Sequence, residues 1–380
     1  MYSNAALQIR SELASLKPKE IVDYFYTITS LLNNVPPKDA LSLLNECIYQ
    51  IEDLDDSERQ MLILRQCSFL KSIGNLQLAL EIAESSKRFF ERNEHYLGLV
   101  KSYMYLGEIL DRMNDFLESL AMSLKAIDLC QSNLNEPHIE ASIMNNIGIT
   151  YKNGGNVDLA QEWYQKALDK FKSINHQMGV SQVLVNMGVV ARNNLQFEQA
   201  LVLFFKALGI KEILADLNGK ARTMVNLVSV YYHLGKYSES LLLLDEAQQI
   251  FQSISNEVDL TNTFLWKGKI YSALNLSQDS IINFEIVARL SEKIVMTINR
   301  LICISSLSKE YEKIGQLNLA LHYERVASDL RNQISQEQLQ NSMKYAKEKA
   351  EREKAIREHE SASEKNAQLE SANVLLKNLI

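Results

Sequence analysis

The sequence is poor in the two residue types that interrupt helices. Its 380 residues include only four prolines and thirteen glycines, which is low against average usage. Because the interior of a helix tolerates neither residue well, this scarcity favours long helices. Apolar residues make up 46% of the chain and charged residues 23%, so there is ample material for a core. The length suits two ordinary domains or one elongated domain that grows by repetition.

Other features that are scarce exclude several classes of protein. Cys47, Cys67, Cys130 and Cys303 show no CxxC spacing, so we expect buried, reduced thiols rather than disulfides or zinc ligands. No apolar run approaches the roughly 20 residues that span a bilayer, and the N-terminus lacks the apolar core of a signal peptide. The formal charge of -7 gives no electrostatic reason to bind nucleic acid. We therefore expect a cytoplasmic protein that contacts neither membrane nor nucleic acid.

A pattern of small residues recurs every 40 or 41 residues along the chain. With Gly148 as the reference position, its equivalents are Cys67, Gly107, Gly188, Val228, Gly268 and Ser308. Twelve residues after each reference position stand Ala79, Ser119, Ala160, Ala200, Ser240, Ser280 and Ala320. A further seven along stand Ser86, Ala126, Ala167, Ala207, Ala247, Val287 and Ala327. Small residues at these spacings predict two antiparallel helices per unit that approach each other closely.

A second set of positions predicts where the first helix of each unit ends. Seven residues after the reference positions come Gly74, Asn114, Gly155, Leu195, Gly235, Asn275 and Gly315. All but Leu195 are glycine or asparagine, the residues that most readily adopt the left-handed conformation beyond a helix end. Gly154 and Gly155 are therefore interpreted as a turn between helices. A phosphate-binding loop would need a preceding strand and a GK[ST] ending, and the sequence has neither.

These positions resemble the signature of the tetratricopeptide repeat family. The alternation of small and large residues is present at Gly148, Tyr151, Ala160, Tyr164 and Ala167, and again at Gly188, Ala200, Phe204 and Ala207. A weaker copy upstream has Ile28 at the reference position, with Leu31, Ala40 and Cys47 following. The resemblance covers about residues 15–332 and implies an all-α, right-handed α-solenoid of eight helix pairs. We expect residues 1–332 to form this solenoid, with a degenerate first pair.

The resemblance also places a candidate binding site on the concave face. Residues two before the reference position point into the groove of such proteins, and here they include Asn146, Asn186 and Asn226. Neighbouring positions complete the candidate site with Asn145, Lys152, Arg192, Arg222, Tyr232 and His233. Because asparagine both donates and accepts, a ladder of asparagines can hold the backbone of an extended peptide.

The chemistry of these side chains leaves two interpretations open. The cations make the trough locally basic, which favours an acidic or carboxylate-bearing peptide as the partner. Alternatively, the polar residues are simply solvated, or the asparagines hydrogen-bond one repeat to the next.

The C-terminal segment differs in composition from the repeats. From Gln316 to Ile380 there is no glycine or proline, and residues 344–360 interleave basic and acidic side chains, as in a solvated helix. A seven-residue spacing follows at Ala355, Ala362, Leu369 and Leu376. We expect residues 333–380 to form a charged helix with a short coiled-coil seam that makes a homodimer. A single free helix is the alternative.

The layout of an array followed by a charged helix resembles the N-terminal region of bacterial sensor histidine kinases and diguanylate cyclases. The resemblance implies a peptide- or protein-binding sensory module that relays occupancy through the terminal helix to an output domain. A stand-alone adaptor is the alternative. For this chain itself we expect no enzyme, no cofactor and no metal, because its six histidines show no ligand spacing and no nucleophile motif is present.

Overall fold

A computed structural model describes residues 4–13, 15–16, 20–21, 24, 35, 37–50, 54–254, 256–293, 297–336, 339–340, 343 and 347. Secondary structure in these residues is helical, with no strand assigned to them. The chain divides into two compact units, Met1–Leu276 and Ser277–Ile380. The all-α prediction is confirmed. The boundary between array and charged helix at residue 332 stays a prediction.

The first unit is built from a succession of helices of nearly equal length. They are α1 (Asn4–Leu13), α2 (Pro37–Gln50), α3 (Asp56–Ser72), α4 (Leu76–Arg92), α5 (Tyr96–Arg112), α6 (Phe116–Asn133), α7 (Pro137–Asn153), α8 (Val157–Ser173), α9 (Gln177–Asn193), α10 (Phe197–Ile213), α11 (Leu217–His233), α12 (Tyr237–Ser253) and α13 (Glu257–Ala273). From α3 to α12 the helices pair as antiparallel hairpins, and each hairpin packs on the next. The first unit is a solenoid, as the repeat spacing predicts.

The small residues lie where the two helices of a hairpin meet. The residues twelve and nineteen positions after each reference position are fully buried from Ala79 through Ala247. The hydroxyl of Ser119 donates to the carbonyl of Gly107 across such a contact, 2.8 Å away. The thiol of Cys67 does the same to the carbonyl of Ala79 at 3.3 Å. The predicted close approach of the paired helices is confirmed.

The turns inside the hairpins adopt the predicted left-handed backbone. Every one of the seven positions has positive φ: Gly74, Asn114, Gly155, Leu195, Gly235, Asn275 and Gly315, with values between 60° and 85°. Leu195 adopts φ 60° although its side chain is branched and 71% exposed. The turn therefore requires this conformation even where the residue type disfavours it.

The second unit repeats the same local features. It contains α14 (Ser277–Lys293) and α15 (Thr297–Lys313), and residues 317–336 are helical. The Ser308 hydroxyl donates to the carbonyl of Ala320 at 2.9 Å, which repeats the contact of Cys67 with Ala79. The coiled-coil positions from Ala355 onward lie outside the described residues, as do Ile28 and Leu31 of the weak first copy.

Replacing Leu195 with glycine is expected to stabilise the protein by about 1 kcal/mol, because glycine adopts positive φ without the clash that an L side chain suffers. Little packing is lost, since the leucine is mostly exposed. The free energy of unfolding from urea titration checks this. Gly155→Leu, the same exchange in reverse at the equivalent turn, is expected to destabilise by a similar amount.

Gly148→Ala is expected to destabilise by about 1–3 kcal/mol, because the added Cβ would lie 2.6 Å from the ring of the buried Tyr164. Gly209→Ala is the matched control, since nothing lies within 4 Å of its added Cβ inside helix α10. There the exchange is expected to stabilise by about 0.5–1 kcal/mol. Equal effects on the thermal midpoint at the two positions would contradict this account of the hairpin contact.

Candidate binding groove

A polar groove crosses the first helices of four successive hairpins. Its volume is about 600 Å³, and helices α5, α7, α9 and α11 supply most of its lining. Lys71, at the end of α3, and Lys211, at the end of α10, complete it. Because the equivalent faces of successive repeats stack side by side, residues about 40 positions apart become neighbours across the groove.

Asparagines form the floor of this groove, and several of them bond one repeat to the next. Asn145, Asn146, Asn186 and Asn226 all line it. The Nδ2 of Asn186 donates to Oδ1 of Asn145 at 2.9 Å. The Nδ2 of Asn146 donates to Oε1 of Glu108 at 2.8 Å. These contacts agree with the alternative in which the asparagines hydrogen-bond one repeat to the next, and binding of a peptide by the same side chains stays a prediction.

Asn226 differs from the other asparagines of the groove. Within the part of the chain that the structure describes, its side chain makes no hydrogen bond to the protein. It is half-buried and lies on α11, opposite the α5 wall. Its amide is therefore available as both donor and acceptor to a molecule in the groove.

Three of the four cations that line the groove contact carboxylates, and the fourth, Arg112, donates to the backbone carbonyl of Lys71. The Nε of Arg222 lies 2.6 Å from Oδ2 of Asp259. Lys71 contacts Glu108, and the Nζ of Lys211 lies 3.1 Å from Oδ2 of Asp216. Four cations and three carboxylates line the groove, with Arg112 and Asp111 included. Its charge is thus more balanced than the basic trough that the sequence suggests.

Burial perturbs the charged groups at the α3–α5 end. Burial and the nearby charge of Arg112 lower the pKa of Lys71 to about 7. Burial raises the pKa of Asp111, although the Nδ2 of Asn153 donates to its Oδ2 at 2.6 Å. The Oδ1 of Asp111 has no hydrogen-bond partner among the described residues. The surroundings of Lys71 and Asp111 therefore stabilise the charged forms of these two side chains only in part.

Four of the sequence-predicted site residues are not among those that line the groove. Lys152 and Arg192 stand at the ends of α7 and α9, where Arg192 donates to the hydroxyl of Ser229 at 2.9 Å. Burial lowers the pKa of both cations.

The two predicted aromatic residues pack against other rings. Tyr232 packs edge-on against Trp266, with ring centroids 5.6 Å apart. His233 stacks on Phe197 with centroids 5.6 Å apart.

The charged residues that sequence reasoning missed come from two sources. Glu108, Asp111 and Arg112 lie one, four and five residues after the reference position Gly107, in a repeat from which the predicted site took no residue. Lys211 and Asp216 lie at the end of a second helix and in the turn after it, where the family pattern predicts no groove residue. A signal for the latter pair was present, because the equivalent positions in two other repeats hold phenylalanine and histidine, at Phe90 with His95 and Phe171 with His176.

The described residues hold no group of three or more side chains able to bind a metal ion. No helix among them is long and apolar enough to cross a bilayer. The four cysteines are buried and not disulfide-bonded, as their spacing predicts. Burial raises the pKa of the Cys67 thiol to about 12, so it stays protonated and unreactive.

Stacked hairpins with a groove on their first helices define a helical-repeat protein. Two family models described as tetratricopeptide repeat match residues 98–173 and 221–256. The chain therefore contains tetratricopeptide repeats, as its repeat signature predicts. No curated protein matches its sequence.

Solved structures show the same fold at low sequence identity. Aspartyl phosphate phosphatase F from Bacillus subtilis is 12% identical, with a TM-score of 0.58, and the match covers 86% of this chain and 88% of that one. A Rap protein complexed with competence and sporulation factor is 14% identical, with a TM-score of 0.57 and coverage of 84% and 99%. NprR in complex with its cognate peptide NprX is 15% identical, with a TM-score of 0.53 and coverage of 84% and 94%.

The lowered pKa of Lys71 predicts a pH-dependent stability. An unfolded lysine titrates near 10.4, so between about pH 7 and that value the unfolded chain binds more protons than the folded one. The free energy of unfolding therefore rises with pH in this window. In Lys71→Met we expect the rise between pH 7.5 and 9.5 to be smaller by up to about 1.4 kcal/mol per pH unit. Urea unfolding at several pH values measures both slopes, and equal slopes would show that Lys71 stays charged against Glu108.

Proposed function

We propose that the groove binds an extended peptide or a flexible protein segment, and that the repeat array acts as a sensory or regulatory module. The observation that carries this proposal is the continuous polar groove of about 600 Å³ across four repeats, with asparagines along its floor. An extended chain presents one N–H and one C=O per residue, and such a floor can pair with both.

Two of the similar structures support this use of the fold. One is a Rap protein complexed with competence and sporulation factor, and the other is NprR in complex with its cognate peptide NprX. Their identity to this chain is at most 15%, so what they share with it is the fold. The groove residues of this chain carry the chemical part of the proposal.

An acidic partner fits the groove best. Its lining has Lys71, Arg112, Lys211 and Arg222 against Glu108, Asp111 and Asp216, so it has one excess positive charge below about pH 7, where Lys71 is protonated. Arg112 lies on α5 and Arg222 on α11, and burial together with the nearby charge of Arg222 lowers the pKa of Arg112. A carboxylate near both guanidinium groups would relieve their repulsion.

The output of binding is assigned to the charged C-terminal segment. In this proposal, residues 333–380 dimerise as a short coiled coil and carry occupancy of the groove to a partner domain. A chain in which the segment only covers the end of the array would act instead as an adaptor. Loss of the dimer mass in light scattering when residues 333–380 are deleted would support the first arrangement.

Replacing both Asn186 and Asn226 with alanine tests the asparagine floor. Each lost hydrogen bond is worth about 0.5–1.5 kcal/mol, so affinity for a bound peptide is expected to fall about ten- to hundred-fold. The probe is a fluorescein-labelled pool of acidic heptapeptides, and the measurement is fluorescence anisotropy. The thermal midpoint is expected to fall slightly, because Asn186→Ala also removes the hydrogen bond to Asn145.

Asn93→Ala is the matched control, because this exposed asparagine stands at the end of α4 and does not line the groove. We expect it to bind as the wild type does. Binding that survives the double exchange undiminished would move the site away from the asparagine floor. A wild-type protein that binds none of the pool would contradict the proposed function itself.

A further inference from the structure

One buried ion pair in the groove replaces an aromatic contact used elsewhere in the array. Lys211 and Asp216 are each 6% exposed, and both line the groove. Five residues separate them, with the lysine in the last turn of α10 and the aspartate just before α11. The Oδ1 of Asp216 also accepts from the backbone N–H of Gly219 at 2.9 Å and so caps α11.

The equivalent positions in two other repeats hold a phenylalanine and a histidine. Phe90 packs on His95 with ring centroids 5.1 Å apart. Phe171 packs on His176 with centroids 5.2 Å apart. Each histidine caps the following helix through its Nδ1, at 3.1 Å and 3.0 Å from a glycine N–H. Neither pair lines the groove.

The glycine of each site makes room for the side chain that packs there. A Cβ on Gly179 would lie 2.4 Å from the ring of Phe171. A Cβ on Gly219 would lie 2.6 Å from the Nζ of Lys211. The three repeats therefore share one local architecture, and the Lys211 repeat fills the same space with an ammonium group.

Stability gives no reason for this exchange. Removing two charges from water costs more than their attraction reliably returns, and apolar replacements of buried ion pairs often leave stability unchanged or raise it. At the equivalent positions of two other repeats, a phenylalanine packed on a histidine fills the same space. The Lys211–Asp216 pair differs from the two aromatic pairs in that both of its residues line the groove.

We infer that the Lys211–Asp216 pair is the specificity determinant of the groove, and that Lys211 binds a carboxylate of the peptide. This inference rests on the proposed function. The Nζ of Lys211 has three N–H donors, and among the described residues its one hydrogen-bond acceptor is Asp216. A carboxylate of the ligand would accept a hydrogen bond from a second N–H of this ammonium group, while Asp216 keeps the group in position.

The position of the pair also favours an anionic group. Arg222 lies on α11, the helix that Asp216 caps, and it also lines the groove, where it is paired with Asp259. A carboxylate at this end would therefore meet an ammonium and a guanidinium together. Since the groove excludes much of the water around Lys211, the interaction is stronger than at an exposed lysine.

The test replaces the ion pair in the groove with the phenylalanine and histidine found in the other two repeats. The double variant Lys211→Phe with Asp216→His copies the Phe171–His176 pair and leaves the net charge of the protein unchanged. We expect a thermal midpoint equal to or above that of the wild type. Affinity for the acidic heptapeptide pool, measured by anisotropy, is expected to fall at least ten-fold, to the level of a pool with Asn and Gln in place of Asp and Glu.

A second variant covers the case in which the aromatic pair fails to fold. Lys211→Gln with Asp216→Asn keeps the shape and a hydrogen bond but removes both charges, and the same loss of acidic preference is expected. A pool with amidated C-termini distinguishes the source of the carboxylate. If amidation abolishes binding, Lys211 binds the chain terminus, and if only the Asn and Gln pool fails, it binds a side chain.

A folded variant that keeps wild-type affinity and acidic preference would overturn this inference while leaving peptide binding intact. Failure of the wild type to bind any pool would instead reject the proposed function. The two failures are thus distinguishable in one set of titrations.

Discussion

The close approach of paired helices at small residues is the constraint on which the rest of the structure depends. At Gly148 and Gly188 the rings of Tyr164 and Phe204 pack directly over the backbone, which a larger residue would prevent. One such hairpin cannot cover its own apolar face, so it is stable only against its neighbours. The 40-residue spacing follows from this requirement, and it brings equivalent residues of successive repeats side by side.

That stacking gives the groove its chemistry. Side chains about 40 positions apart hydrogen-bond to each other, as Asn186 does to Asn145. The same amides face the groove, so the contacts that join repeats also orient the polar groups offered to a ligand. A site built in this way is preorganised, because its side chains are held in place before any peptide arrives.

The groove departs from the repeat pattern where its chemistry is most specific. Lys211 and Asp216 occupy positions that are aromatic in two other repeats, and the backbone at the cap is similar, with φ -77° and ψ 80° at Asp216 and φ -83° and ψ 80° at His176. The fold thus tolerates an exchange that stability alone would not favour. Fold and function separate at this point, because hairpin stacking requires only that the space be filled, whereas recognition depends on what fills it.

The sequence by itself determined the repeat length, the hairpin contacts and the positions of the turns, because these depend on local spacing and on residue size. Even Leu195, the residue type that broke the turn pattern, adopts the expected backbone. Only the tertiary structure decided which polar residues meet in the groove. Arg192 donates a hydrogen bond to Ser229, and Lys211 lines the groove although it belongs to a second helix. Such side-chain partners depend on packing between repeats, which a local sequence pattern does not predict.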